Sequence, residues 1–174
     1  MHKEQREFCE QVKEKFPEYF TQSRVIDFGS LDVNGNNRYL FDTSCTYTGV
    51  DLGPGKNVDV VLSAHLFTPE PGFEPDVIIS TEMLEHDRNW DRSLRNMLHM
   101  LKRGGLIIVT CATDDREEHG TREHNPQDSP YTNDYYRNVS LSEFKKAIHC
   151  ELKFLIQFEI RRTKNDLQFW GIKQ

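Results

Sequence analysis

Apolar residues recur along this chain with two different periods. Between Lys3 and Phe16, Phe8, Val12 and Phe16 stand four apart with charges between them, which predicts an amphipathic helix ended by Pro17. After it come short apolar runs of strand length: Arg24–Phe28, Tyr47–Asp51, Val58–Leu62, Asp76–Ser80 and Leu106–Thr110. The last two are apolar almost throughout, as strands buried on both faces of a parallel sheet are. Between the runs lie a Gly- and Asn-containing loop, a short helical stretch near Arg38–Phe41 and a Pro/Gly loop, Thr68–Pro75. Trp90, Leu94, Met97, Leu98 and Leu101 mark one face of a second helix, with Gly104-Gly105 expected to end it as a left-handed cap. Residues 112–139 are polar and aromatic, without periodicity; such a length of loop is usually functional or disordered. Ser140-Leu141-Ser142-Glu143 reads as a capping box opening a helix through Phe144 and Ile148. Leu152–Ile160 and Leu167–Ile172 close the chain as strands joined by a charged turn.

Strands that alternate with helices imply a parallel sheet covered on both faces. Two strands joined by a tight turn must be antiparallel. The expected fold is therefore a single α/β Rossmann-like domain over residues 1–174. Its sheet is mostly parallel and seven-stranded, with one antiparallel strand from the C-terminal hairpin and helices on both faces.

Composition narrows the function classes. The net charge is −6 and no window is strongly basic, so the chain gives no clear nucleic-acid surface. No apolar stretch approaches the length of a membrane span. The N-terminal residues lack the apolar core of a signal peptide, which sets a cytoplasmic expectation. Cys9, Cys45, Cys111 and Cys150 lie far apart with no CxxC pair, which fits free thiols better than a disulfide or zinc framework.

In open α/β sheets ligands sit beyond the carboxyl ends of the strands, where strand order reverses. Asp27-Phe28-Gly29-Ser30, Asp51 with Leu52, and Ser80-Thr81-Glu82-Met83 would all converge there. Gly29 lets the backbone approach a ligand with no Cβ in the way. An acid at Asp51 suits the hydroxyls of a ribose. Val25–Ser30 looks like the first motif of class I S-adenosylmethionine (SAM)-dependent methyltransferases, and Tyr47–Asp51 resembles their second-strand motif. Asp76–His86 and Leu101–Thr110 resemble the fourth- and fifth-strand motifs of the type 11 group. The resemblance implies SAM as cofactor, with Asp27, Gly29, Ser30, Asp51, Leu52, Ser63, Ala64, His65, Thr81, Glu82 and Met83 as its binding residues. It divides the chain into a helix at 1–17, a SAM-binding half at 24–111, an acceptor-side loop at 112–139, and a helix with hairpin at 140–174.

Two departures stand out. Ser30–Gly35 lacks the second glycine of GxG, so Leu31–Gly35 must take a variant path. Ser63 stands where the family places an adenine-binding acid. The absent GxGxxG also argues against a pyrophosphate-bearing dinucleotide, hence against a nucleotide-dependent oxidoreductase.

Methyl transfer is an in-line displacement that needs placement, exclusion of water and, for a hydroxyl or amine acceptor, removal of a proton. His86, His119 and His124 are the candidate bases, with His86 and His119 taken as the catalytic pair. His86 could instead pack or cap the following helix. No residue spacing matches a named metal motif, including His119 and His124 with Asp114 and Asp115, so no metal is expected. Tyr131, Tyr135, Tyr136 and Arg137 suit either contact with an acceptor or pinning of the loop. A small-molecule acceptor, such as a sugar or glycan intermediate, is the leading reading. A non-catalytic SAM-binding module that regulates a partner is the alternative. DNA amino-methylation is disfavoured because Glu82–Glu85 stands where a Pro-Pro-Tyr motif would, and cytosine C5 chemistry because no cysteine follows a proline. The oligomeric state is not encoded in any of these signals.

Overall fold

The computed structural model describes residues 3–174; Met1 and His2 of the expected N-terminal helix lie outside the described residues. Helix α1, Lys3–Lys15, buries Phe8, Cys9 and Val12 on one stripe, and Pro17 opens a single 3-10 turn, Pro17–Phe20. The strands are β1 Arg24–Phe28, β2 Thr46–Asp51, β3 Val60–Val61, β4 Val77–Thr81, β5 Leu106–Ala112, β6 Leu155–Thr163 and β7 Asp166–Lys173. They form one sheet in the order β3-β2-β1-β4-β5-β7-β6. Neighbours from β3 to β5 run parallel. Strand β7 runs antiparallel to both β5 and β6. The chain starts at β1, steps outward to β2 and β3, then returns to the other side of β1 for β4. That reversal opens a crevice between the tips of β1 and β4.

The strand period of two sorts the core into two layers. Val25, Val77, Ile79, Leu106 and Ile108 pack with Phe8, Val12 and Phe16 on the α1 side. Ile26, Phe28, Ile78, Ile107 and Val109 pack on the opposite side with Leu94, Met97 and Leu98 of α2, Trp90–Met100, and with Phe144 of α3, Leu141–Ala147. Helices therefore cover both faces, as expected. The capping box at α3 is formed in both directions between Ser140 and Glu143.

Three elements differ from expectation. The expected strand Leu152–Ile160 opens as a 3-10 turn, Leu152–Phe154, and β6 starts only at Leu155 and runs on to Thr163. Strand β3 shrinks from the expected Val58–Leu62 to two residues. Asp59 explains this: its carboxylate accepts the Gly49 N–H at 2.7 Å while its own N–H bonds the Gly49 carbonyl at 2.8 Å. A side chain thus occupies the place where a ladder would extend. Gly104 does not cap α2. The helix ends at Met100, and Leu101 already has extended backbone with its side chain still buried. Gly104, at φ +76°, instead shapes the turn into β5, and its N–H bonds the Lys173 carbonyl at 2.8 Å.

Candidate functional site

Phe28 of β1 pairs with Val50 of β2 and Ser80 of β4, so Gly29, Asp51 and Thr81 leave the sheet side by side. Gly29 turns at φ +79°, and a Cβ there would fall 2.6 Å from the Cβ of Met83. The β1 and β4 tips therefore press against each other, and only glycine fits. Glu82 bends the β4 tip through a left-handed φ of +55°, with its N–H on the Thr110 carbonyl at 3.0 Å. Holding a non-glycine residue in this region costs on the order of 1–3 kcal/mol. These turns open onto a cavity of about 450 Å³, within the usual range for small-molecule sites.

Asp51 stands at the rim. One carboxylate oxygen accepts the Leu31 N–H at 3.0 Å and the other the Leu52 N–H at 2.7 Å. Each oxygen keeps a further lone pair for a ligand hydroxyl. Burial raises the Asp51 carboxyl above its ordinary range, against the pull of these backbone donors. The Leu31 contact also explains how the loop manages without a second glycine. Asp32 organises the segment: it accepts from the Gly35 N–H and the Asn36 amide, and pairs with Lys56 at 2.6 Å. Asn57 closes the same loop by donating to the Ser30 carbonyl at 2.9 Å.

Asp27 sits deeper. The Tyr47 hydroxyl donates to it at 2.6 Å and the Asn37 amide at 3.2 Å. Burial nonetheless pushes its carboxyl up to about 7. Asn37 also donates to the Thr81 hydroxyl at 3.0 Å and accepts from Gln5 at 3.4 Å. Sequence reading missed Gln5 and Asn37, because each reaches the cavity only through tertiary packing.

Asp27, Gly29, Ser30, Asp51, Leu52, Ser63, Ala64, Thr81, Glu82 and Met83 all line this one cavity. His65 does not line it; its Nδ1 lies 2.7 Å from the Ser63 hydroxyl, so it positions Ser63 instead. His86 and His119, 33 residues apart in the sequence, meet on the far wall. Their rings and that of Tyr136 form a mutual edge-to-face cluster, with His86–His119 centroids at 5.3 Å. Burial first, and His119 second, lower the His86 imidazole to about 4, and burial lowers His119 as well. Both rings are therefore neutral near pH 7. His86 does not cap α2. Below it, burial pushes the Glu82 carboxyl up to about 7 and Glu85 well above its ordinary value.

The segment after β5 folds over the cavity. Tyr131 lays its ring on Gly53, and its hydroxyl donates to the Pro54 carbonyl at 2.6 Å. Asn34 donates to Asp128 at 3.0 Å. Arg116 anchors the near end through Asp166 at 2.8 Å. Of the aromatic and basic residues noted in this loop, Tyr131 lines the cavity. Tyr135 lies under the Arg88 guanidinium, and Arg137 pairs with Glu143 at 2.6 Å; both pin the loop. His124, at 3.5 Å from Glu118, and Asp114 and Asp115, both on Arg162, are not gathered with His119.

Residues 1–149 match a family model described as a methyltransferase domain. No curated protein matches the sequence. Among solved structures, Burkholderia thailandensis 1,6-didemethyltoxoflavin-N1-methyltransferase, with its substrate and S-adenosylhomocysteine bound, superimposes with a TM-score of 0.65 at 12% identity, covering 98% of this chain and 78% of that one. Haemonchus contortus phosphoethanolamine N-methyltransferase 2, in complex with SAM, gives 0.65 at 15% identity over 95% of this chain and 52% of its own, so this chain spans about half its length. The [4+2]-cyclase SpnF gives 0.65 at 12% identity, over 96% of this chain and 80% of that one. At these identities the likeness is one of fold.

Proposed function

The chain belongs to the methyltransferase domain family, and on that premise we propose that it transfers a methyl group from SAM to a small-molecule acceptor. The observation that carries this reading is the meeting of Asp51, Gly29 and Thr81 at one cavity beyond the switch point. Asp51 offers two oxygens, each already steadied by one backbone N–H, to a ribose diol. Asp27 offers a buried carboxyl to the methionine ammonium, whose charge would favour the ionised form. Leu52 and Ala64 supply apolar wall for the adenine, with the Ser63 hydroxyl beside them. When bound, SAM supplies a methyl carbon already activated by a positive sulfur. Neutral imidazoles at His86 and His119 keep a lone pair for an acceptor proton, with His86, lowered to about 4, a weaker base than a free imidazole. A dinucleotide fits less well: after β1 the chain makes only the 3-10 turn Asn37–Leu40, so no long helix aims its N-terminus at a pyrophosphate. Asn125, Asp128, Ser129 and Thr132 along the wall favour a hydroxyl-rich acceptor such as a sugar.

The test is calorimetric titration of SAM and S-adenosylhomocysteine into the wild type and Asp51→Ala. Micromolar-class binding by the wild type, weakened about 10- to 100-fold in the variant with its fold intact, is expected for loss of charge-assisted hydrogen bonds. Absence of binding to either ligand overturns the reading. Because the same fold also carries a cyclase, turnover is followed separately, as S-adenosylhomocysteine release in the presence of candidate acceptors.

A further inference from the structure

Glu85, His86 and His119 bring three potential ligand atoms within 4.8 Å of one another. The first two come from the 3-10 turn Leu84–His86 and the third from the loop after β5, so no sequence spacing announces the set. We propose that these three side chains bind a first-row divalent transition-metal ion at the wall of the cavity.

Three independent features support it. Glu85 is fully buried, yet only one carboxylate oxygen is used, accepting the Ala112 N–H at 3.1 Å. Its Oε2 has no hydrogen-bond partner, and neither does Nδ1 of His86, which is 8% exposed. Buried polar atoms left without partners are costly and call for an occupant. Finally, Nδ1 of His119 lies 3.1 Å from the Glu117 carbonyl. A ring N–H given to a backbone carbonyl fixes the ring's tautomer and orientation, and it is the usual second contact of a metal-bound histidine.

Two imidazoles and one carboxylate select ions such as zinc, iron(II), manganese or cobalt over magnesium and calcium, which prefer all-oxygen sites. Donors at roughly 2.1 Å from an ion stand about 3 to 3.5 Å apart, so binding draws the three atoms together. The half-buried His119 side chain can supply that movement. With three protein ligands, further coordination positions remain, and His86 and His119 both border the cavity. With an ion bound, His86 and His119 are ligands and no longer proton acceptors; the ion would instead hold an oxygen donor of the acceptor and ease ionisation of its hydroxyl, the proton passing to bulk water. Ion binding itself stands apart from the methyl-transfer reading; the assistance to the acceptor rests on it.

The experiment titrates cobalt(II) into metal-stripped full-length protein and follows the visible d–d bands, with zinc(II) calorimetry in parallel. One equivalent is expected, with no thiolate charge-transfer band. His119→Ala and Glu85→Gln should each weaken binding by about 100-fold or more, while His124→Ala, an exposed histidine of the same loop, leaves it unchanged. Circular dichroism checks that the variants fold; because Glu85 is fully buried, His119→Ala at the half-buried position carries the decision if Glu85→Gln does not fold. Failure of the wild type to bind either ion, or equal binding by folded His119→Ala, overturns the proposal. SAM titration of the same metal-stripped protein separates the two readings, since cofactor binding without cobalt binding rejects the metal site alone.

Discussion

At the scale of single residues, Asp27 shows how burial couples the site to stability. Its carboxyl is lifted from 3.8 to about 7, chiefly by burial, with Tyr47 and Asn37 pulling the other way. The folded protein then holds a proton that the unfolded chain releases, so Asp27 favours folding fully below its unfolded pKa. That contribution is lost as the pH rises through the folded value. The expected slope is a fall in unfolding free energy of up to about 1.4 kcal/mol per pH unit across this window. Asp27→Asn, nearly isosteric, should flatten that part of the profile. Urea melts of both proteins between about pH 4 and 8 measure it, and identical slopes would show that Asp27 is already ionised. The acid at Asp27 and its neighbour Gly29 were legible in the sequence, since each sits at a strand end. Asn37 and Gln5 were not, because nothing local links residues whose amides meet only after α1 packs on the sheet.

At the scale of elements, the same chain gives both clear and misleading signals. The helix α3 was legible to its first residue, because Ser140 and Glu143 write their reciprocal hydrogen bonds into a four-residue pattern. Ser140→Ala removes the acceptor for the Glu143 N–H and the donor to its carboxylate. The expected cost is about 1 kcal/mol, read as a lowered urea midpoint with an unchanged slope. An unchanged midpoint would mean that Phe144 packing alone holds the helix. The end of α2 was misread for a physical reason. Leu101 is buried whether or not it is helical, so apolar periodicity carries it into the helix, although its backbone has already extended. Strand β3 was overread likewise: Val58–Leu62 has strand composition, but pairing ends where Asp59 turns its side chain onto Gly49. Hydrophobic pattern reports burial, and it reports hydrogen bonding only where the two coincide.

At the scale of the molecule, the cavity is bounded by two kinds of structure with different stabilities. The floor is made of strand tips held in the sheet ladders, whereas the roof is the segment between β5 and α3, held by separate contacts. Tyr131 on Pro54, Arg88 with Asp134, and Arg116 with Asp166 fasten it at distant points. A roof fastened in this way opens locally at lower cost than the floor unfolds. A ligand enclosed beneath it must leave, or lose its contacts, when the roof lifts. Trypsin cleavage after the exposed Arg122 therefore reports opening. S-adenosylhomocysteine at about 100 times its Kd should slow that cleavage by up to about 100-fold if opening requires release. Asp51→Ala should cut the protection to about 2- to 11-fold at the same concentration, because a 10- to 100-fold weaker ligand then stands at only about 1 to 10 times its Kd. Cleavage at an equal rate with and without ligand, under conditions where calorimetry shows saturation, would place the bound molecule outside the reach of this roof. The long unpatterned segment was legible in the sequence as a loop outside the sheet and helices, while its fastening points, each a contact across distant sequence such as Asn34 with Asp128, could emerge only from the folded chain.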